Sequence, residues 1–263
     1  MTETTTTRTD GGEPRGGLAA WAPSKLPGIG RELTTAQELA VALRHLDDAG
    51  FVENLTGHIT VDDGAGGFLV NPWGLWWSEV RTRDLLRIDT DGRVVEGEWD
   101  VTPAVHIHTE LHRRRPDARV VVHNHPPYAS ALAAVGELPD LVHQNSSILA
   151  GEMVLVSEYG GEVDKPHLGA ALADLIGEAS VALLVSHGVI VTAPTIAQAV
   201  YTSVLFERTC MLHWRVRALG ERAIPIGAGP QAQLKASLVE RAAPVYWNGA
   251  VRQLLAVEPE VLD

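Results

Sequence analysis

Between Thr35 and Gly50 the apolar positions recur at helical intervals, with Leu39, Leu43 and Leu46 on one face, the repeat of an amphipathic helix. Thr35-Ala36-Gln37-Glu38 reads as its capping box. The repeat then shortens to two. Ile59–Val61, Gly67–Val70 and Leu86–Asp89 read as strands, with turns at Asp62-Asp63-Gly64 and Asp91-Gly92. A helix over 103–114 opens on Pro103, where a missing N–H costs nothing. The β-branched run Arg119–His123 is a strand that Pro126-Pro127 stops. Tyr128–Val135 and Leu168–Ile176 read as helices, Met153–Val156 and Val181–Val185 as strands, the latter turning at Ser186-His187-Gly188. A long helix from Thr195 to about Leu219 puts Ile196, Val200, Val204 and Met211 on one face, and a short one spans Gln231–Ala243. Helices and strands alternate irregularly, with several hairpin-like neighbours. The pattern predicts an α/β sandwich and not a strict βαβ repeat.

Residues 1–30 are rich in Thr, Gly and Pro without periodicity and read as a disordered tail. A folded domain is expected over 31–220, and 221–263 as a C-terminal arm suited to packing on a neighbouring subunit. The chain carries 33 acidic against 21 basic residues, a formal charge of −12. That balance argues against nucleic acid or an anionic membrane as partner. Arg113-Arg114-Arg115 reads as a solvated helix end. The single cysteine, Cys210, permits no internal disulfide and follows a buried apolar pattern. No run approaches the roughly 20 apolar residues of a membrane span. Met1-Thr2-Glu3 and the threonines after it lack the features of a signal peptide. The expected location is the cytoplasm.

The chemistry concentrates in Val121-Val122-His123-Asn124-His125-Pro126. Residues two apart on a strand share a face, so His123 and His125 can present two imidazoles side by side. His187, where a strand breaks into a glycine turn, offers a third. Three neutral nitrogens with positions left open make a catalytic divalent site and not a closed structural one. With eleven histidines in the chain, the pair alone leaves open whether these are ligands or polar strand ends.

The order and spacing of further motifs extend the pattern. His123-Asn124-His125-Pro126, Ser186-His187-Gly188 and the helix Thr195–Glu207 follow Arg115-Pro116-Asp117, Phe68-Leu69-Val70-Asn71-Pro72-Trp73-Gly74-Leu75 and Gly57-His58-Ile59-Thr60. Together, over about residues 35–215, they resemble the metal-binding core of the class II aldolase/adducin family. The resemblance implies an α/β/α sandwich around a mainly antiparallel sheet. It implies His123, His125 and His187 as ligands of one divalent metal per subunit, Zn2+ with Fe2+ or Mn2+ as alternatives, and a homotetramer. It also implies substrate-binding positions at Gly57, Thr60, Asn71, Trp73, Gly74 and Gln144.

The departures narrow the chemistry. Where aldolases of the family carry an acid/base glutamate, four residues before the histidine matched by His108, this chain has Ala104. Where some carry a proton-donating tyrosine after the histidine matched by His143, it has Gln144. The phosphate-binding turns appear as Gly57-His58-Ile59-Thr60 and Pro72-Trp73-Gly74, with an imidazole and an indole in place of small polar groups. Cleavage of a sugar phosphate is therefore not expected. Trp73, Trp76 and Trp77 suit an aromatic or apolar substrate, although Trp76 and Trp77 read equally well as core or interface. His58 and His108 are the candidate catalytic groups. Ala104, His108 and His112, spaced i, i+4, face one side of a helix. His108 reads either as a general acid or extra ligand at the metal or as a structural hydrogen-bonding residue. His45, His106, His167 and His213 read as surface or packing residues, and Tyr128 and Tyr159 as weak candidates for proton donation.

The expected function is a carbon–carbon lyase that decarboxylates a non-phosphorylated hydroxyaromatic or oxo acid, with the metal as Lewis acid and a small carboxylic acid as the partner. The family also includes Fe(II) oxygenases that oxidatively decarboxylate aryl-pyruvates, which gives the second expectation. A non-catalytic adducin-type binding head is the third.

Overall fold

The first helix is capped one residue earlier than predicted. In the computed structural model, which describes residues 23 and 25–263 apart from 52 and 159, α1 spans Thr35–Asp48 with Thr34 as its N-cap. The Thr34 hydroxyl accepts from the Gln37 backbone N–H, and the Gln37 side chain accepts from that of Thr34, which completes the box in a shifted register. Most of the predicted tail, and Tyr159, lie outside the described residues.

Among the described residues eight strands form one sheet: β1 (His58–Asp62), β2 (Gly67–Val70), β3 (Leu86–Asp89), β4 (Val94–Glu96), β5 (Val120–Asn124), β6 (Met153–Val156), β7 (Val181–Leu184) and β8 (Val189–Ala193). Their order is β4-β3-β2-β1-β5-β8-β7-β6. Every pairing is antiparallel except β6 with β7. β4 and β8 were not among the predicted strands.

Side-chain parity assigns the two faces. Ile59, Val61, Val120, Val122, Val189 and Val191 belong to the larger core, shared with α1, α3 (Pro127–Val135), α5 (Ile196–Ala218) and α6 (Ala228–Val257). Val121, Ala182, Leu184 and Ile190 point the other way, under α2 (His106–Arg114) and α4 (Pro166–Ile176). The result is an α/β/α sandwich. β1 and β5 pair with His58 opposite His123 and Thr60 opposite Val121. By the period of two, His58, Thr60 and His123 therefore all face α2. The predicted helix 103–114 resolves into a 3-10 turn, Pro103–Val105, and then α2. This presents Ile107 and Leu111 to the core and His108 and His112 to β1.

The C-terminal helix departs most from expectation. It runs 30 residues, straight through Pro244. Proline removes one helical hydrogen bond. Beyond it Trp247, Ala250, Val251 and Leu254 are buried, and burial of that stripe outweighs the lost bond. This helix packs on α1, α5 and the 3-10 segment Gln144–Leu149 of its own chain. Trp77 and Cys210 are core residues. Among the described residues no helix is long and apolar enough to cross a membrane.

Candidate metal centre

His123 is the penultimate residue of β5, and its parity turns it toward α2. His125 follows just past the strand, and His187 stands in the turn between β7 and β8, the strand paired with β5. That turn is tight: Ser186 adopts φ 57°, a left-handed conformation tolerated at functional turns. The Leu184 N–H donates to the Gly188 carbonyl and the His187 N–H to the Leu184 carbonyl. Gly188 has no room for a side chain, since a Cβ there would lie 2.4 Å from His125 Cδ2.

The three rings converge. Centroids lie 4.7 Å apart for His123 and His187, 5.0 Å for His125 and His187, and 5.2 Å for His123 and His125. One ligand nitrogen from each lies within 4.8 Å of the other two. The surroundings fit a cation. His125 Nε2 is buried without a hydrogen-bond partner among the described residues, an expensive state for a ring nitrogen unless something binds it. His123 Nδ1 donates to the Val189 carbonyl at 3.1 Å, leaving Nε2 unprotonated and aimed by the backbone, as outer-shell partners do for metal-bound imidazoles. His125 Nδ1 stands 3.2 Å from Glu53 Oε2. Burial, then the neighbouring rings, holds His123 well below the usual histidine range. Burial and His125 bring His187 down to about 4. Both are neutral at pH 7, the form that ligates.

The triad lines a cavity of about 190 Å³ with Leu55, Thr56, Gly57, His58, Asn71, Pro72, Trp73, Thr102 and Ala104. Of the predicted positions, Gly57, His58, Asn71 and Trp73 are therefore brought to the triad. Gly57 turns at φ 97°, and a Cβ there would meet Trp77 at 3.0 Å. Asn71 faces the cavity, but its amide is occupied: Oδ1 accepts from the Ile59 N–H at 2.8 Å and Nδ2 donates to the Gly57 carbonyl. Trp73 is half exposed, its backbone N–H bonded to the Asp100 carbonyl.

Other positions lie elsewhere. Thr60 and His108 are fully buried behind the wall, not at the cavity surface. His108 Nε2 lies 2.6 Å from His58 Nδ1, and its Nδ1 lies 2.7 Å from the Thr60 hydroxyl. Of the two readings of His108, the structure favours the hydrogen-bonding one. The same hydroxyl is 2.7 Å from His112 Nε2, and burial brings His112 down to about 4. Gly74 is exposed and outside the cavity lining. Gln144 is also exposed and outside the lining of this chain, because its 3-10 segment is held on the opposite face by α5 and α6. Sequence reasoning missed Leu55, Thr56 and Thr102 in the wall, which carry no motif. It also missed the full extent of the buried polar line, which only the shared face of His108 and His112 hinted at.

Residues 37–214 match the family model described as "Class II Aldolase and Adducin N-terminal domain". The chain is 32% identical over 206 residues to an adducin-related protein of Schizosaccharomyces pombe, covering 72% of this chain and 62%, under two thirds, of that one. It is 32% identical over 187 residues to a 4-hydroxy-3-prenylphenylpyruvate oxygenase/4-hydroxy-3-prenylbenzoate synthase of Streptomyces roseochromogenus subsp. oscitans, covering 69% of this chain and 67% of that one. It is 30% identical over 198 residues to a 3,4-dihydroxyphthalate decarboxylase of Arthrobacter keyseri, covering 70% and 79%. In fold it resembles an L-fuculose 1-phosphate aldolase from Glaciozyma antarctica PI12, with a TM-score of 0.78 at 23% identity, covering 92% of this chain and 97% of that one. With its family model matched over most of its length, the chain belongs to the class II aldolase and adducin N-terminal domain family.

Proposed function

We propose that the chain is a metal-dependent carbon–carbon lyase that decarboxylates a non-phosphorylated hydroxyaromatic or oxo acid, with His123, His125 and His187 holding one divalent cation. The observation that carries this reading is the convergence of three imidazoles on a cavity whose described lining contains no carboxylate, lysine or arginine. A phosphate would find no lysine or arginine there, and the groups of its turns are committed: the Thr60 hydroxyl to His108 and His112, the Asn71 amide to backbone. With Ala104 in the wall, no side-chain carboxylate stands ready to abstract a proton. Loss of CO2 needs none to begin.

His123, His125 and His187 would hold the divalent ion, Zn2+ with Fe2+ or Mn2+ as alternatives, which when bound would supply Lewis acidity to the substrate's oxygen atoms. The chain's own residues do the positioning. The Val189 carbonyl orients His123. The Trp73 indole offers a flat wall for an aromatic ring, and Leu55, Pro72 and Ala104 keep that side apolar. His58 brings a polar edge to the substrate. The family relatives include a decarboxylase of a dihydroxyaromatic acid, which supports the substrate class. The proposal extends to a cytoplasmic homotetramer in which a neighbouring subunit covers the exposed Leu55 and Trp73. Sedimentation as a monomer would remove that part.

The test is CO2 release from dihydroxybenzoic and hydroxyphthalic acids by protein reconstituted with Zn2+, Fe2+ or Mn2+, with and without O2. His123→Ala should lose both the metal and the release. A second reading, an Fe(II) oxygenase acting on an aryl oxo acid, is favoured by the relative with that activity at 32% identity. Turnover that ceases without O2 would replace the first reading with the second. Failure to take up stoichiometric metal would end both.

A further inference from the structure

The rings of His123 and His125 are held by different means. His123 lies inside β5 and is buried, with its Nδ1 bonded to the Val189 carbonyl. His125 lies one residue past Asn124, the last paired position of β5, so the sheet does not fix its ring. Two contacts do. The backbone of Gly188 lies against the Cδ2 edge, with no room for a side chain between them. On the other edge Glu53 Oε2 stands 3.2 Å from Nδ1.

The two contacts do different things. Turning an imidazole by half about its Cβ–Cγ bond exchanges Nδ1 with Cδ2 and Nε2 with Cε1. Packing against Gly188 treats the two orientations nearly alike, because ring nitrogen and carbon differ little in size. A carboxylate does not. Its oxygens only accept, so it favours the orientation that presents an N–H over the one that presents a C–H. That choice puts the proton on Nδ1 and leaves Nε2 bare. Nε2 is the atom that is buried without a hydrogen-bond partner among the described residues. It is the one His125 nitrogen free to ligate.

Glu53 can act this way because its own backbone is fixed. The Thr56 N–H and hydroxyl both donate to the Glu53 carbonyl, at 3.3 and 2.6 Å. Asn54 between them adopts φ 55°. At the end of the turn the Gly57 carbonyl accepts from the Asn71 amide and the Trp77 indole, each at 3.3 Å. Leu55, Thr56 and Gly57 of this turn line the cavity. The Glu53 side chain is itself 65% exposed, against 17% for His125, so its removal leaves no hole.

We infer that Glu53 is a positioning residue of the metal centre: its carboxylate accepts from His125 Nδ1–H, holds Nε2 toward the cation, and ties the cavity-wall turn Glu53–Gly57 to a metal ligand. The inference rests on the triad as the metal site proposed above. It does not depend on which reaction the site performs.

Zinc affinity of Glu53→Ala and Glu53→Gln, measured by competition with a chromophoric chelator, tests it. Glu53→Ala should bind zinc about 10–100-fold more weakly than wild type, as loss of an outer-shell partner does. Glu53→Gln keeps an acceptor at the same reach without the charge and should fall between the two. The visible absorption bands of the Co2+-substituted protein should shift in Glu53→Ala and stay near wild type in Glu53→Gln. The metal-free thermal midpoint should move by no more than about 3 °C, since the pair is open to solvent. Zinc held by Glu53→Ala within twofold of wild type would overturn the inference. So would a Glu53→Gln as weak as Glu53→Ala, which would leave charge alone as the cause, or a loss of affinity matched by a larger drop in the metal-free midpoint. Wild-type protein that takes up no zinc would overturn the triad reading and this inference with it. The expected affinities without CO2 release would count against the lyase reading alone.

Discussion

Gly188→Ala tests whether the triad depends on how closely its two carrying segments approach. The added methyl would lie 2.4 Å from His125 Cδ2 and 2.5 Å from the Asn124 carbonyl oxygen, roughly 1 Å inside ordinary contact at about 3.5 Å. The carbonyl belongs to β5, where Asn124 is paired with Val189, so it yields little. The His125 ring, only half-buried, is what moves. Overpacking of this kind costs about 1–3 kcal/mol, which lowers the midpoint of thermal unfolding by a few degrees in a chain of this size. The effect on the metal should be disproportionate. Ligand geometry must hold within about 0.5 Å, and disturbing even an outer-shell partner costs about 10–100-fold in affinity, so zinc affinity should fall by at least that factor. Competition with a chromophoric chelator measures the affinity, and calorimetric unfolding of the metal-free protein measures the stability. Gly249→Ala is the control: it lies in α6, where an added Cβ meets nothing within 4 Å. It should leave zinc affinity unchanged and add up to about 1 kcal/mol through helix propensity. If Gly188→Ala binds zinc like the wild type, the close approach of the turn to His125 does not shape the site.

Acid should destabilise the metal-free protein through His112. Burial brings its folded pKa from 6.5 down to about 4, so the unfolded chain binds the extra proton in that window and stability rises with pH. The contribution is complete above pH 6.5, on the order of 3 kcal/mol, and is lost as pH falls toward 4. Urea midpoints at pH 4.5 and 7 should differ less in His112→Gln than in wild type, and an equal difference would refute the assignment. Glu207 accepts from the Tyr128 and Ala129 N–H groups, each at 2.8 Å, and so anchors the first turn of α3, which begins two residues after His125. Glu207→Ala should cost about 2–4 kcal/mol, from two charge-assisted bonds, and should weaken zinc binding in parallel. Loss of stability with wild-type zinc affinity would show that this anchor does not reach the site.

Why the triad was legible while the buried line was not follows from the range of the interactions. The spacing of His123 and His125 states by itself that they share a face, because strand parity is local. His187 announces itself by the glycine after it, which a tight turn and the His125 ring both require. The β-branched runs and capping residues placed most elements within a residue or two. The Thr34 cap differs from the predicted box only because two threonines stand side by side and either hydroxyl satisfies the pattern. The line from His58 to His112 is of another kind. It needs β1 beside β5 in the register that sets His58 opposite His123, and it needs α2 laid across that face, neither of which any local repeat encodes. Parity alone could say that His58 and Thr60 share a face, and helical spacing alone that His108 and His112 do. Only the sheet order brings the two faces together. The short helix expected over Gln231–Ala243 fell short in the same way: burial of Trp247, Val251 and Leu254 against distant segments carries it on through Pro244. Positions whose meaning depends on a partner far along the chain are thus where reading the sequence failed. In this protein those positions include His108, Thr60 and His112, which stand behind His58 where it lines the cavity.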